Sequence, residues 1–350
     1  MSDPQRRSID ERVRAWMRDG WEEDDERFGA LALEIFGFQF EHCLPYRRFC
    51  QAREARPDSL GDWREIPAVP AGAFKEVALR SFPSERTRKT FRTSGTSGAR
   101  RGELHLDTLD LYEASLLPPI RRFLFPELAE GQRCRILVMA SSPDEAPDSS
   151  LSHMFGCMLA ELGTPDSGFS LQPVGLLQAA QEPIALCGTA LACAHLLDSI
   201  SPLQLPRGSR VMETGGFKGR RREIDRHTLY ASIEEKLGVP AARIVNQYGM
   251  TELGSQFYDS VLREPDRARR KLAPPWARVR LVDPHSGREA LPGEPGIITI
   301  HDLANTGSIA AIQTADLGRA NRDGGFEVLG RQPGAEERGC SIAADLMLGA

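Results

Sequence analysis

The chain has little of what marks a special environment. Its seven cysteines are odd in number and follow no disulfide-framework spacing, which points to a reducing compartment, the cytoplasm. Cys43/Cys50 and Cys187/Cys193 are near neighbours, but neither pair meets a second ligand pair at metal spacing, so no structural metal is expected. No early apolar run resembles a signal peptide, and no stretch approaches membrane-spanning length. A basic block is also lacking. The formal net charge is -5, with acids and bases interspersed, so nucleic acid is not an expected partner. Lysine is scarce: of 44 basic residues only Lys75, Lys89, Lys218, Lys236 and Lys271 are lysines.

What is present is a chain of 350 residues, 41% hydrophobic, long enough for a large core and for one large α/β domain plus a small one. Its organising stretch is Arg92-Thr93-Ser94-Gly95-Thr96-Ser97-Gly98-Ala99-Arg100-Arg101-Gly102. Glycines let a backbone turn tightly and approach a ligand. Successive N–H groups in such a loop form an anion-binding concavity. The hydroxyls and Arg100 add donors and charge. Two readings stand, a polyphosphate loop and a plain polar hairpin loop. It is not a Walker A motif, which needs Gly-Lys-Ser/Thr and an immediate helix. Strand-like residues flank it instead, 89–92 before and 103–106 after.

Around this loop the chain reads as alternating elements. Residues 1–20 are charged and read as a loose tail or exposed helix. Residues 24–43 carry Phe28, Leu31, Ile35 and Phe36 at helical spacing, and Pro45 ends that helix or starts the next segment. A proline-punctuated connector covers 63–70. Helices are expected over 107–125, 151–162, about 189–199 and 222–237, and strands over 135–140, 184–188, 210–213 and 243–246. Such alternation argues a mostly parallel sheet flanked by helices, with ligands beyond the carboxyl ends of its strands. After about Pro274 short alternating strands separated by turns predict a small β-rich part. The division is therefore 1–273 as α/β core with a helical N-terminal part, 274–331 as β-rich subdomain, and 332–350 as tail.

A second motif, Asn246-Gln247-Tyr248-Gly249-Met250-Thr251-Glu252, follows a predicted strand. The Tyr248 ring can stack on a purine, Thr251 can donate to a phosphate, and Glu252 can hold Mg²⁺. An ordinary strand-to-loop junction with a packed tyrosine is the alternative. Further segments are Gly215-Gly216-Phe217-Lys218, Gln313-Thr314-Ala315-Asp316 and Gly324-Gly325-Phe326-Glu327-Val328-Leu329-Gly330-Arg331.

Taken in order across 92–331, these segments resemble the core motifs of the adenylate-forming acyl- and aryl-CoA synthetase superfamily. The segment from Phe38 to Phe49, the string from Ile66 to Pro70 with Phe74-Lys75, and Glu213 to Lys218 are similar to the acyl-protein synthetase family, the synthetase subunit of the bioluminescence fatty-acid reductase. The resemblance covers most of the chain and implies the large α/β domain of an adenylate-forming enzyme with a β-rich subdomain. It implies ATP and Mg²⁺ as cofactors, with Thr93, Ser94, Gly95, Thr96, Ser97, Gly98 and Arg100 on the phosphates. It sets Gly215, Gly216, Tyr248 and Gly249 at the adenine, Asp316 on the ribose hydroxyls and Arg331 at the ribose or α-phosphate. Ala315 departs from the family's glycine, so that match is partial. His153 falls where the family places a residue near the acyl carboxylate, or is a packed helical histidine. Lys218 could reach a phosphate or be simply exposed. The chain stops at Ala350 with no lysine after Lys271, so the superfamily's lysine-bearing C-terminal domain is expected to be absent. The Gly339-Cys340-Ser341 string matches the family's acyl-accepting cysteine; a small residue on a terminal segment is the plain alternative.

The implied activity is ATP-dependent conversion of a carboxylic acid, of fatty type, to an acyl-adenylate with release of pyrophosphate. Transfer to Cys340 follows, and the acyl group passes to a reductase subunit, a carrier protein or CoA. Two other readings remain: a ligase using an external thiol, and a non-catalytic ATP-binding subunit that scaffolds a partner enzyme.

Overall fold

The computed structural model describes residues 3–94, 100–215, 225–284, 286–332 and 343–349. The chain divides into two compact units, Met1–Ser115 with Met250–Gln256 and Leu272–Ala350, and Leu116–Gly249 with Phe257–Lys271.

The first unit begins with three helices, Pro4–Asp19, Asp25–His42 and Leu44–Gln51. The opening segment is a helix rather than a loose tail, and one face of it is buried. Ile9, Val13, Trp16 and Met17 form its buried stripe, the spacing of an amphipathic helix. Arg6 is buried as well, with Nη1 2.7 Å from Asp107 Oδ1. Local charge suggested solvent; the partner that buries it lies far along the chain. Pro45 starts the third helix, in whose first turn its missing N–H costs nothing.

Four antiparallel strands follow one another in this unit: Ala277–Val282, Pro295–Asp302, Ala311–Ala320 and Phe326–Arg331. Val69–Pro70 adds in parallel at Ile312 and Gln313. The strand Ala311–Ala320 was not expected. Its inward positions include Thr314 and Asp316, both buried, so hydropathy does not alternate even though burial does. A separate antiparallel pair, Lys89–Arg92 with Glu103–Leu106, forms as the flanking residues of the glycine-rich loop predicted. Helical residues 343–348 bury Ala343, Ala344 and Met347. Arg48 Nη1 caps them by donating to the carbonyls of Met347 and Leu348, at 3.3 and 2.9 Å.

The second unit is a mostly parallel sheet. Its order is Phe257–Asp259, Ile244–Tyr248, Arg210–Thr214, Ile184–Thr189, Arg135–Met139 and Gly168–Phe169. Every pairing is parallel except that of Phe257–Asp259, which runs back along Ile244–Tyr248. That short return was not foreseen. Leu186, Val211 and Ile244 of the strands pack with Cys193, Leu197, Leu229, Ile233 and Leu237 of helices Ala190–Ser199 and Arg226–Leu237. Each helix starts at a side-chain cap, Thr189 or Asp225, which accepts a backbone N–H of the first turn. Among the described residues no helix is long and apolar enough to cross a membrane.

Candidate active site

The glycine-rich loop stands on a closed neck. Lys89–Arg92 and Glu103–Leu106 pair from Lys89↔Leu106 to Arg92↔Glu103. Opposed Phe91 and Leu104 are fully buried and pin the register. The ladder runs one step further: Thr93 N donates to Gly102 O at 2.9 Å, and Gly102 N donates to Thr93 Oγ1 at 2.9 Å. The Thr93 hydroxyl thus accepts from the backbone and keeps its own hydrogen to donate. Arg101 Nε donates to Thr93 O at 2.6 Å.

Gly102 has a steric reason to be glycine. A Cβ there would stand 3.2 Å from Thr93 Cγ2 and 3.4 Å from Glu252 Oε1. The buried Glu252 carboxylate therefore lies against the neck of the loop. Its segment is held from outside. Asn305 Nδ2 donates to Glu252 O at 2.8 Å and to Ile309 O at 2.9 Å. Asp302 accepts from Gly254 N, Ser255 N and Ser255 Oγ, at 2.8, 2.8 and 2.6 Å. Burial pushes the Asp302 carboxyl up, against the pull of these hydrogen bonds. Asp302 and Asn305 were missed in the sequence. The signal was a polar Asp-Leu-Ala-Asn-Thr run closing an apolar strand.

Of the other expected phosphate-loop residues, Ser94 is exposed and Arg100 pairs with Glu76. Thr251, beside Glu252, is half-buried. Asp316 and Arg331 are cross-strand partners, with Nε 3.8 Å from Oδ1. Gly95, Thr96, Ser97, Gly98, Gly216, Lys218 and Cys340 lie outside the described residues.

In the second unit, Gly215 and Gly249 follow the neighbouring parallel strands Arg210–Thr214 and Ile244–Tyr248, which pair Thr214 with Gln247. Thr214 Oγ1 donates to Gln247 O at 3.1 Å and to its side-chain oxygen. Gly215 has φ 75°, with nothing within 4 Å of a Cβ position. Glycine is needed there for the backbone conformation rather than for space. Tyr248 is half-buried, 6.2 Å from Phe257 between ring centroids. His153 lies half-buried on the helix Ser150–Leu162.

Beneath these ends lies a charged network that sequence reasoning missed. Lys271 Nζ is 2.9 Å from Asp259 Oδ1 and donates to Asn246 O at 3.2 Å. Asn246 Nδ2 donates to Glu213 Oε1 at 2.7 Å, and Tyr230 OH to the same oxygen at 2.9 Å. Burial pushes Lys271 down and Glu213 up. Burial also opposes ionisation of Asp259, but Lys271 and Arg269 outweigh it and hold its carboxyl below the usual range. This cluster fixes the strands that carry Gly215 and Tyr248.

The fold is similar to that of solved structures of known enzymes. A solved structure of 2-hydroxyisobutyryl-CoA ligase in complex with 2-HIB-AMP and CoA aligns with TM-score 0.61 at 14% identity, covering 87% of this chain and 69% of that one. ATP-bound MatB from Rhodopseudomonas palustris aligns with TM-score 0.50 at 18% identity, covering 79% of this chain and 53% of that one. The chain thus spans about half the length of MatB. Residues 175–348 match the model of the family described as acyl-protein synthetase, LuxE. The long-chain-fatty-acid–luciferin-component ligase of Aliivibrio fischeri is 23% identical over 316 residues, 85% of this chain and 80% of the ligase. The ligase of the same description from Photorhabdus luminescens is 29% identical over 80 residues, 23% of this chain and 68% of its own length.

Proposed function

We propose that the chain is an acid–thiol ligase that activates a carboxylic acid, of fatty type, with ATP and passes the acyl group to a protein thiol. The observation that carries this reading is the convergence of Thr93, Gly102 and Glu252 at the neck of the glycine-rich loop. A buried carboxylate beside a loop of hydroxyls and N–H groups suits a phosphate–metal pair, because Mg²⁺ prefers carboxylate and phosphate oxygens. Glu252 would hold Mg²⁺, which supplies charge neutralisation at the phosphates. Thr93, Ser94 and Arg100, with 95–98, would orient the β- and γ-phosphates, and Thr251 a phosphate oxygen. Asp316 would accept from the ribose hydroxyls and Arg331 donate beside it. Gly215, Gly216 and Tyr248 with Gly249 form the base-binding group. His153 and Lys218 are assigned to the acyl carboxylate and a phosphate.

In the first step a carboxylate oxygen attacks the α-phosphorus and pyrophosphate leaves; little covalent work falls to the protein, and positioning dominates. In the second, the Cys340 thiolate attacks the acyl carbonyl, AMP leaves and a thioester forms. Five of the six described cysteines are poorly suited to act as the nucleophile. Burial pushes the Cys43 and Cys134 thiols up to about 11 and Cys50 to about 12, and raises Cys187 and Cys193 further. The thioester would go to a cytoplasmic reductase-like subunit, a carrier protein or CoA.

The test is intact-protein mass after incubation with Mg-ATP and a panel of carboxylic acids, for the native chain and Cys340→Ser. A hydroxylamine-labile adduct absent from the variant is expected. CoA-dependent turnover that survives Cys340→Ser would replace the internal acceptor with an external thiol. No acid-dependent exchange of pyrophosphate into ATP would leave a non-catalytic scaffold.

A further inference from the structure

A polar cavity, of about 410 Å³, opens on the sheet of the first unit. It is lined by Arg53, Ile66, Ala68, Pro70, Arg280, Val282, Thr299, His301 and Gln313. None of the residues assigned to acid activation lines it, and the inference does not rest on that reading.

The cavity floor is a row across three strands. Arg280 pairs with Thr299, and Thr299 with Gln313. His301 follows Thr299 by two positions and so shares its face. Three polar atoms of this floor are buried and have no hydrogen-bond partner: Arg280 Nε, Thr299 Oγ1 and His301 Nε2. Thr299 is 4% exposed and His301 2% exposed. Buried polar groups in native proteins are ordinarily satisfied, and each exception needs an occupant or an explanation. The residues that carry these three atoms all line the cavity.

The chemistry of the three atoms defines it. Arg280 Nη1 is spent on Arg64 O at 2.6 Å. Its Nε is the donor on the guanidinium edge that takes a carboxylate or phosphate side-on. Thr299 can donate or accept. Burial, reinforced by Arg280 and Arg64, pushes the His301 imidazole down to about 3, so it is neutral near pH 7 and can donate one N–H. Its ring lies edge-on to Trp63, centroids 4.9 Å apart. None of the described lining residues is acidic, and Arg53 adds a second guanidinium. Ile66, Ala68, Pro70 and Val282 supply an apolar wall. The volume falls within the range of small-molecule sites.

We propose that this cavity binds a small organic anion, its carboxylate or phosphate head on Arg280 Nε, Thr299 Oγ1 and His301 Nε2 and its short apolar part against Ile66, Ala68, Pro70 and Val282.

The experiment follows the His301 imidazole nitrogens by NMR in the full chain labelled at histidine, without ATP. The probes are inorganic phosphate, phenyl phosphate, acetate and hexanoate. The expected result is a saturable shift of the His301 resonances, with phenyl phosphate or hexanoate binding more tightly than its head group alone. The better of the two identifies the head. Affinity falls at least tenfold in Arg280→Gln and in Thr299→Val, the second variant serving if the first does not fold. No saturable shift with any probe, or equal affinity in both variants, overturns the proposal. A crystal structure at saturating hexanoate or phenyl phosphate with ordered water alone on the three atoms does the same.

Discussion

Asn305 holds Glu252 by its main-chain carbonyl, with Nδ2 2.8 Å from the oxygen across 53 residues of sequence. The same amide reaches Ile309 O, so one side chain ties the end of one strand and the start of the next to the segment that carries the carboxylate. Asn305→Ala removes donors from two buried carbonyls and should cost about 1–3 kcal/mol. Urea unfolding measures that loss. Pyrophosphate exchange should fall more than the population of folded protein does, because the Glu252 segment is positioned by this contact. Equal falls would make Asn305 a stabilising residue alone.

Glu252→Gln keeps shape and removes charge. Exchange of pyrophosphate into ATP should drop by about 100-fold or more, with the melting temperature little changed. The Mg²⁺ concentration for half-maximal exchange should rise. Undiminished exchange at low Mg²⁺ would remove Glu252 from the metal.

Gly102 separates two effects of bulk at the loop neck. Alanine requires neighbours at 3.2 and 3.4 Å to yield slightly, and a small rise in KM for ATP is expected. Valine adds atoms with nowhere to go and should destabilise by about 1–3 kcal/mol. A valine variant with native KM and native unfolding midpoint would show that the neck has slack.

His301 sets a dependence on acid. Its folded pKa is lowered from 6.5 to about 3, by burial first and then by Arg280 and Arg64, with Asp62 opposing. Below pH 6.5 the unfolded chain takes up a proton that the folded chain refuses. Stability from this group is therefore full above that pH and declines as pH falls towards 3. Between pH 6.5 and 4.5 the loss is about 2–3 kcal/mol. Urea unfolding of the native chain and of His301→Phe at both pH values checks it: the variant should lose less on acidification.

The candidate site draws attention in the sequence because its chemistry is local. The loop at 93–98 shows itself by glycines and hydroxyls between strand-like residues, and Tyr248-Gly249-Met250-Thr251-Glu252 by its place after an apolar strand. The parallel strands of the second unit are apolar runs between turns. What escaped is what depends on distant partners. Arg6 looks like part of a solvated tail until Asp107 is seen beside it. Asp302 and Asn305 look like a polar loop until their backbone partners, 47, 48 and 53 residues away, are known. The strand Ala311–Ala320 hides because the groups it buries are polar.

The anchoring of residues 343–348 by Arg48 has a mechanical meaning. A single guanidinium on the third helix ties down the end of this short helix, and Arg48→Ala releases it.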